Sequence, residues 1–260
     1  MAYRKTHIGP KIRSLRKKEK LWKKLWFWLI VFIVIAGIGG CYIVCFLPQL
    51  QIKNIVVSGN NSISGDDIKA IAEKDVAQNI MGSRSIILTK SHILVTDILQ
   101  QFPTIENVWV RKIYPSTMSI SVKERQAVST FCQTINCFAI DGNGIIFQQI
   151  TGVPEGMIIT SDTPHDMRPG SQVVEKKVMD LIIAVRKSLK ENFNINVTNT
   201  FVSNPVVFTT HERWKMYFSP DNTEQNQITR MEALLNKIPA DVRKKLEYIY
   251  LQYKDRAYYK

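Results

Sequence analysis

Val108-Trp109-Val110-Arg111-Lys112-Ile113-Tyr114-Pro115-Ser116-Thr117-Met118-Ser119-Ile120-Ser121-Val122 reads as two β-rich runs, Val108–Ile113 and Thr117–Val122, joined by turn chemistry at Tyr114-Pro115-Ser116. Working upstream, Pro103 stops a helix whose apolar stripe is Ile93, Leu94, Ile98 and Leu99, with Thr89 or Ser91 as its cap. Gly82-Ser83 separates that helix from an earlier one, started by Ser64 and Asp67, with Ile68, Ile71 and Ala72 at helical spacing. Before it, Gln51–Val57 alternates Ile52, Asn54 and Val56 against Lys53, Ile55 and Val57, as a strand covered mainly on one face does, and Ser58-Gly59-Asn60-Asn61 turns the chain. The order β-α-α-β-β within about 75 residues is an α+β module with both helices on one face of a small sheet. Its predicted core includes Val57, Phe102, Ile105, Val108 and Ile120.

Further upstream the composition changes abruptly. Residues 1–24 hold ten Lys and Arg against Glu19, which gives this tail +9 of the chain's +13. Residues 25–47 (LWFWLIVFIVIAGIGGCYIVCFL) hold no charge. At about 1.5 Å per residue they reach roughly 34 Å, enough to cross a hydrocarbon core of about 30 Å. A transmembrane helix is therefore expected over 25–47. Basic residues stay on the cytoplasmic side, so the tail 1–24 lies inside and the rest of the chain outside. The apolar run is longer than the core of a cleaved signal, and no A-x-A-like exit follows it. Trp22, Trp26 and Trp28 sit where an inner aromatic belt belongs, with Tyr42 and Phe46 at the outer end. The sequence pI of about 9.6 thus reports topology and gives no reason to invoke nucleic acid. Anionic lipid accounts for the basic tail.

Downstream, Ala127–Cys132, Phe138–Ile140 and Ile145–Gln148 read as short strands around Gln133–Asn136 and Asp141-Gly142-Asn143-Gly144. Gly156–Thr160 follows as a strand, then a helix over Val173–Leu189, strands near 197–202, 206–209 and 214–218, a helix near 225–235, and a last strand at Glu247–Tyr253. Cys132 and Cys137 flank a hairpin loop, where a disulfide and an unlinked pair of small apolar residues both fit.

Taken in order, Val57-Ser58-Gly59-Asn60, Phe102-Pro103-Thr104-Ile105, Val108–Lys112, Tyr114–Ile120 and Val122-Lys123-Glu124-Arg125 resemble the bacterial cell-division FtsQ/DivIB family, whose external part begins with a POTRA domain. Phe138–Gly144 resembles the "ID..G" hairpin after that domain, and Lys245–Tyr253 the family's closing "iDLRy" phrase. Two departures stand out: Gln126-Ala127 replaces a usual Pro after Glu-Arg, and Tyr250 and Gln252 replace the usual Asp and Arg. The resemblance implies an α+β protein: a basic cytoplasmic tail (1–24), a single N-terminal transmembrane helix (25–47), a POTRA-like β-α-α-β-β domain (50–124), and a mixed α/β domain built on an extended antiparallel sheet (125–260). It also implies a non-enzymatic divisome scaffold in the cytoplasmic membrane, enriched at the division septum, that joins the FtsB–FtsL pair and regulates septal peptidoglycan synthesis. The POTRA-like part would carry recruitment to the division site.

The residues themselves offer little catalysis. There is no G-x-S-x-G, H-E-x-x-H, Walker A or G-x-G-x-x-G pattern, and His7, His92, His165 and His211 are scattered. No cofactor, metal or small-molecule substrate is expected. Asp141 reads as a turn residue and Glu124-Arg125 as a domain-junction ion pair. The binding signal is C-terminal, where five tyrosines fall in the last 13 residues. With Ile249, Leu251 and Tyr253 turned to a core, Tyr248, Tyr250 and Gln252 face outward, and Lys254 and Arg256 favour an acidic partner. These five are the predicted partner-binding residues, on a strand taken as a free sheet edge. The rival functions are a membrane-anchored cell-wall enzyme and a secretion-type POTRA protein.

Overall fold

The computed structural model describes residues 21–78, 83–154, 156–254 and 256–260. The basic tail up to Lys20 and the predicted break at Gly82 lie outside the described residues, and so does the side chain of Trp22. Helix α1 runs Leu21–Phe46 and contains one stretch, Lys24–Ile43, long and apolar enough to cross a membrane. It starts four residues before the charge-free run, because Lys is a good helix former whatever its charge.

A 3-10 turn at Pro48–Leu50 leads into the first unit: β1 (Asn54–Ser58), α2 (Gly65–Ala77), α3 (Ser91–Gln101), β2 (Ile105–Ile113) and β3 (Thr117–Glu124). Its sheet has the order β1-β3-β2, with β1 parallel and β2 antiparallel to β3. The Ser64 hydroxyl accepts from the Asp66 amide at 3.2 Å and caps α2. Ile68, Ile71, Ala72, Leu94 and Ile98 turn from the two helices onto Ile105, Val108, Met118, Ile120 and Val122 of the sheet. Of the predicted core, Ile105, Val108 and Ile120 are buried, while Val57 and Phe102 pack against it partly exposed. Gly59 takes φ +83°, where the chain passes so close to β3 that a Cβ would overlap the Val122 carbonyl oxygen.

Three local expectations change. β1 begins at Asn54, and Ile52 is buried in the segment before it, so Ile55 and Val57 face the core while Val56 faces out. The N-cap of α3 is Lys90, with no side-chain bond, and the Thr89 hydroxyl instead donates to the Ser85 carbonyl at 2.9 Å. Glu124 and Arg125 do not pair with each other, because consecutive residues of an extended chain leave on opposite sides. Glu124 accepts from the Ser62 amide at 2.9 Å, the Ile63 amide at 3.3 Å, the Asn61 amide at 2.6 Å and the Ser62 hydroxyl, closing the loop between β1 and α2. Burial pushes its carboxyl upward, but those hydrogen bonds together outweigh it and hold the group below the usual glutamate range.

The second unit is a nine-stranded sheet of order β12-β11-β10-β9-β8-β7-β4-β5-β6. Its strands are β4 (Ser129–Gln133), β5 (Asn136–Ile140), β6 (Ile146–Gln149), β7 (Ile158–Ser161), β8 (Val197–Val202), β9 (Val206–Thr210), β10 (Lys215–Phe218), β11 (Tyr248–Tyr250) and β12 (Tyr258–Tyr259). Helices α4 (Lys176–Phe193), α5 (Glu224–Lys237) and the short α6 (Ala240–Arg243) complete it. Most neighbours are antiparallel, but β4–β7, β7–β8 and β10–β11 are parallel. Helical crossovers force the last two: α4 carries the chain from β7 to β8, and α5 with α6 carries it from β10 to β11. Val178, Leu181, Ile182 and Val185 of α4 and Ile228, Met231 and Leu235 of α5 cover Phe131, Ile159, Phe208, Trp214, Phe218 and Ile249. Cys132 and Cys137 stand opposite each other in the β4–β5 register and form a disulfide.

The two units meet at Arg125. Its amide donates to the Thr104 carbonyl at 2.7 Å, its Nε donates to the Pro103 carbonyl at 2.9 Å, and its Nη1 pairs with Asp141 Oδ2. Asp141 Oδ1 accepts from the Asn143 and Ile145 amides at 2.8 and 3.0 Å. Both charged side chains are largely buried, at 12% and 5% exposure.

Candidate partner-binding edge

The last 13 residues build one end of the nine-stranded sheet. β11 lies parallel to β10 in the register Lys215↔Tyr248, Met216↔Ile249 and Tyr217↔Tyr250. The alternation puts Ile249 into the core beside Met216 and leaves Tyr248 and Tyr250 on the other face. There the rings pack in tilted contact: Tyr248–Tyr250 centroids are 4.7 Å apart and Tyr217–Tyr250 centroids 4.6 Å. Partial burial, and the neighbouring phenols of Tyr217, Tyr248 and Tyr253, raise the Tyr250 pKa above the ordinary tyrosine value, so it remains a neutral hydrogen-bond donor at neutral pH.

β11 is not the free edge. Beyond Tyr250 the chain returns as β12, antiparallel, with Tyr259 opposite Ile249 and Tyr258 opposite Tyr250. The Lys260 amide donates to the Tyr248 carbonyl at 3.2 Å, the Glu247 amide donates to the Lys260 carbonyl at 2.7 Å, and Lys260 Nζ pairs with Glu247 at 3.0 Å. The expected strand Glu247–Tyr253 is thus three residues long, since the chain turns after Leu251. Tyr253 is 49% exposed, set edge-on to Tyr258 at 5.7 Å, and is no core residue.

Two polar clamps shape the turn. Arg230 on α5 donates to the carbonyls of Leu251 at 3.1 Å, Tyr253, and Arg256 at 3.4 Å. Asn222 Nδ2 donates to the Gln252 carbonyl at 2.7 Å. Neither clamp has a local sequence signal, because each reaches across more than 20 residues.

The result is an open groove of about 660 Å³ lined by Tyr248, Tyr250, Tyr253, Lys254, Arg256 and Tyr258. Four of the five predicted partner-binding residues, Tyr248, Tyr250, Lys254 and Arg256, line it together, and Gln252 does not. Among the described residues the lining carries two cations, Lys254 and Arg256, and no carboxylate. Beside it, β12 ends the sheet. Where Tyr258 and Lys260 bond inward to β11, alternation turns the N–H and C=O of Tyr259 outward. Aromatic rings, two cations and an edge strand with an open outer side suit peptide capture. Among the described residues no three His, Cys, Asp or Glu gather as a metal site requires.

Residues 50–125 match the family model described as POTRA domain, FtsQ-type. Over 161 residues the chain is 31% identical to the cell division protein DivIB of Clostridium acetobutylicum, a match that covers 60% of this chain and 61% of that relative.

Proposed function

We propose, from an FtsQ-type POTRA domain and a DivIB relative that together support membership of the FtsQ/DivIB family of cell-division proteins, that this chain is a bitopic, non-enzymatic scaffold of the division machinery. α1 anchors it in the cytoplasmic membrane with the basic tail inside and both folded units outside, and the protein concentrates at the septum. The first unit, about residues 50–124, docks it there. The C-terminal edge then takes the FtsB–FtsL pair, and through it septal peptidoglycan synthesis is regulated.

One observation carries this reading: a two-residue edge strand, with no strand on its outer side among the described residues, lies beside an aromatic groove with two cations. A partner segment would add as a strand along β12, using the outward Tyr259 amide and carbonyl, while its side chains meet Tyr248, Tyr250 and Tyr258. Lys254 and Arg256 favour acidic residues in that segment. Binding is measured by calorimetric titration of the nanodisc-embedded chain with purified FtsB–FtsL, folding being checked by circular dichroism. Removing a true anchor costs about 2 kcal/mol, roughly thirtyfold in affinity, so a loss of at least that size is expected for Tyr248→Ala with Tyr250→Ala. A folded double variant with parental affinity would sink the assignment.

A further inference from the structure

The end of the first unit nearest α1 carries exposed apolar and basic side chains together. β1 begins beside the start of β3, in the register Asn54↔Thr117, so the β2–β3 hairpin tip lies where the chain enters the domain from α1. The Lys53 amide donates to the Ser116 carbonyl at 2.9 Å, fixing that tip to the entering segment. A second loop joins the same end: Gln51 bridges Ser85, the Ile52 amide donates to the Arg84 carbonyl at 2.9 Å, and Lys112 Nζ donates to the Ile87 and Thr89 carbonyls. At this end Ile113 is 52%, Tyr114 62% and Ile87 43% exposed. Lys53, Arg84 and Arg111 are exposed beside them.

Chain length limits where this end can be. Six residues, and so seven Cα-to-Cα steps, separate Phe46, the last of α1, from Lys53. Fully extended they reach about 25 Å, and the 3-10 turn at Pro48–Leu50 shortens that to roughly 20 Å. The apolar tip is therefore tethered within reach of the lipid headgroups, where an amphipathic aromatic ring and basic side chains are both favourable. We infer that the Ile113–Tyr114 hairpin tip, with Ile87, Lys53, Arg84 and Arg111, is a membrane-contact surface that rests in the headgroup region of an anionic bilayer and fixes the tilt of the first unit. This rests on α1 spanning the bilayer.

The test uses the full chain with Cys41→Ser and Cys45→Ser, reconstituted in vesicles of roughly three zwitterionic to one anionic phospholipid. Single cysteines carrying an environment-sensitive fluorophore are placed at Tyr114 or Ile113, at Asn107 on the same strand about 20 Å from the tip, and at Ile33 within α1. Spin-labelled lipids then quench by depth. Labels at Tyr114 and Ile113 are expected to be quenched by headgroup-level spin labels at least about threefold more than the label at Asn107, since interfacial side chains sit roughly 5–10 Å into that boundary. The excess is expected to fall at least about twofold when anionic lipid is omitted. Equal quenching at Tyr114 and Asn107 would overturn the contact, as would no quenching at either, which would leave the patch to a protein. An excess unchanged in zwitterionic vesicles would overturn the anionic assignment. Quenching at Ile33 by deep acyl-chain labels reports α1 separately, so failure of the tip contact is distinguishable from failure of the anchor.

Discussion

Arg125→Met should be among the most damaging substitutions outside the two apolar cores. Arg125 and Asp141 are 12% and 5% exposed, so removing the guanidinium leaves Asp141 Oδ2 charged, buried and unpartnered. Breaking one side of a buried pair costs about 3–5 kcal/mol, and the lost bond to the Pro103 carbonyl adds about 1. Together that is about 4–6 kcal/mol, and for a folded part of this size a fall in Tm of about 8–24 °C. Asp141→Asn keeps an acceptor for the Asn143 and Ile145 amides but strands the guanidinium, and should cost about 3 kcal/mol. The double variant strands neither charge, so it should be more stable than the sum of the singles by at least about 2 kcal/mol. Urea and thermal denaturation of the full chain in detergent, followed by circular dichroism, reads all three. An Arg125→Met cost below about 1 kcal/mol, or strictly additive singles, would refute the argument that burial makes this pair count.

Glu124→Gln should cost about 1–2 kcal/mol at neutral pH, charge-assisted bonds to the loop amides being discounted for partial exposure. Because the folded carboxyl is held low, its stabilisation is full above the ordinary glutamate range and disappears as pH falls through the folded pKa; urea melts of parent and variant should converge in acid. Gly144→Ala should cost at least about 2 kcal/mol, since φ is +78° and a Cβ would overlap the Val174 carbonyl oxygen; an unshifted urea midpoint would contradict this. Arg230→Ala should loosen only the C-terminus, which hydrogen exchange would report as faster exchange of the Lys260 amide with little change in the core amides of Phe208 and Phe218.

The first unit was legible in the sequence because its signals are local. Helical spacing of Ile68, Ile71 and Ala72, the Ser64 cap and the Tyr114-Pro115-Ser116 turn each fix a few residues without help from distant ones. β1 was read three residues too long at its start because apolar alternation runs on through Ile52, whose burial comes from the loop at Arg84 and not from the ladder. The second unit was legible as elements but not as a sheet. That β4 lies beside β7 and β11 beside β10 depends on crossovers, which leave no periodic trace. Tyr248 and Tyr250 were legible because Ile249 fixes the alternation. Gln252 and Tyr253 were not, because the alternation ends where Arg230 and Asn222 bend the chain. β12 left one usable trace, the aromatic pair Tyr258-Tyr259 a hairpin's length beyond Tyr250.

The strand order also makes the second unit a lever. β4, the strand that leaves the Arg125 junction, lies six strand spacings from β12, about 29 Å at roughly 4.8 Å each. A swing of about 10° at that junction would carry the outer strand about 5 Å, more than the roughly 3.4 Å that separates one residue from the next along a paired strand. A slip of one residue exchanges the two faces of an added strand. How stiffly Arg125 grips Asp141, Pro103 and Thr104 therefore sets how sharply the distant edge is aimed, and a loosened junction would blur recognition at β12 without touching a single residue there.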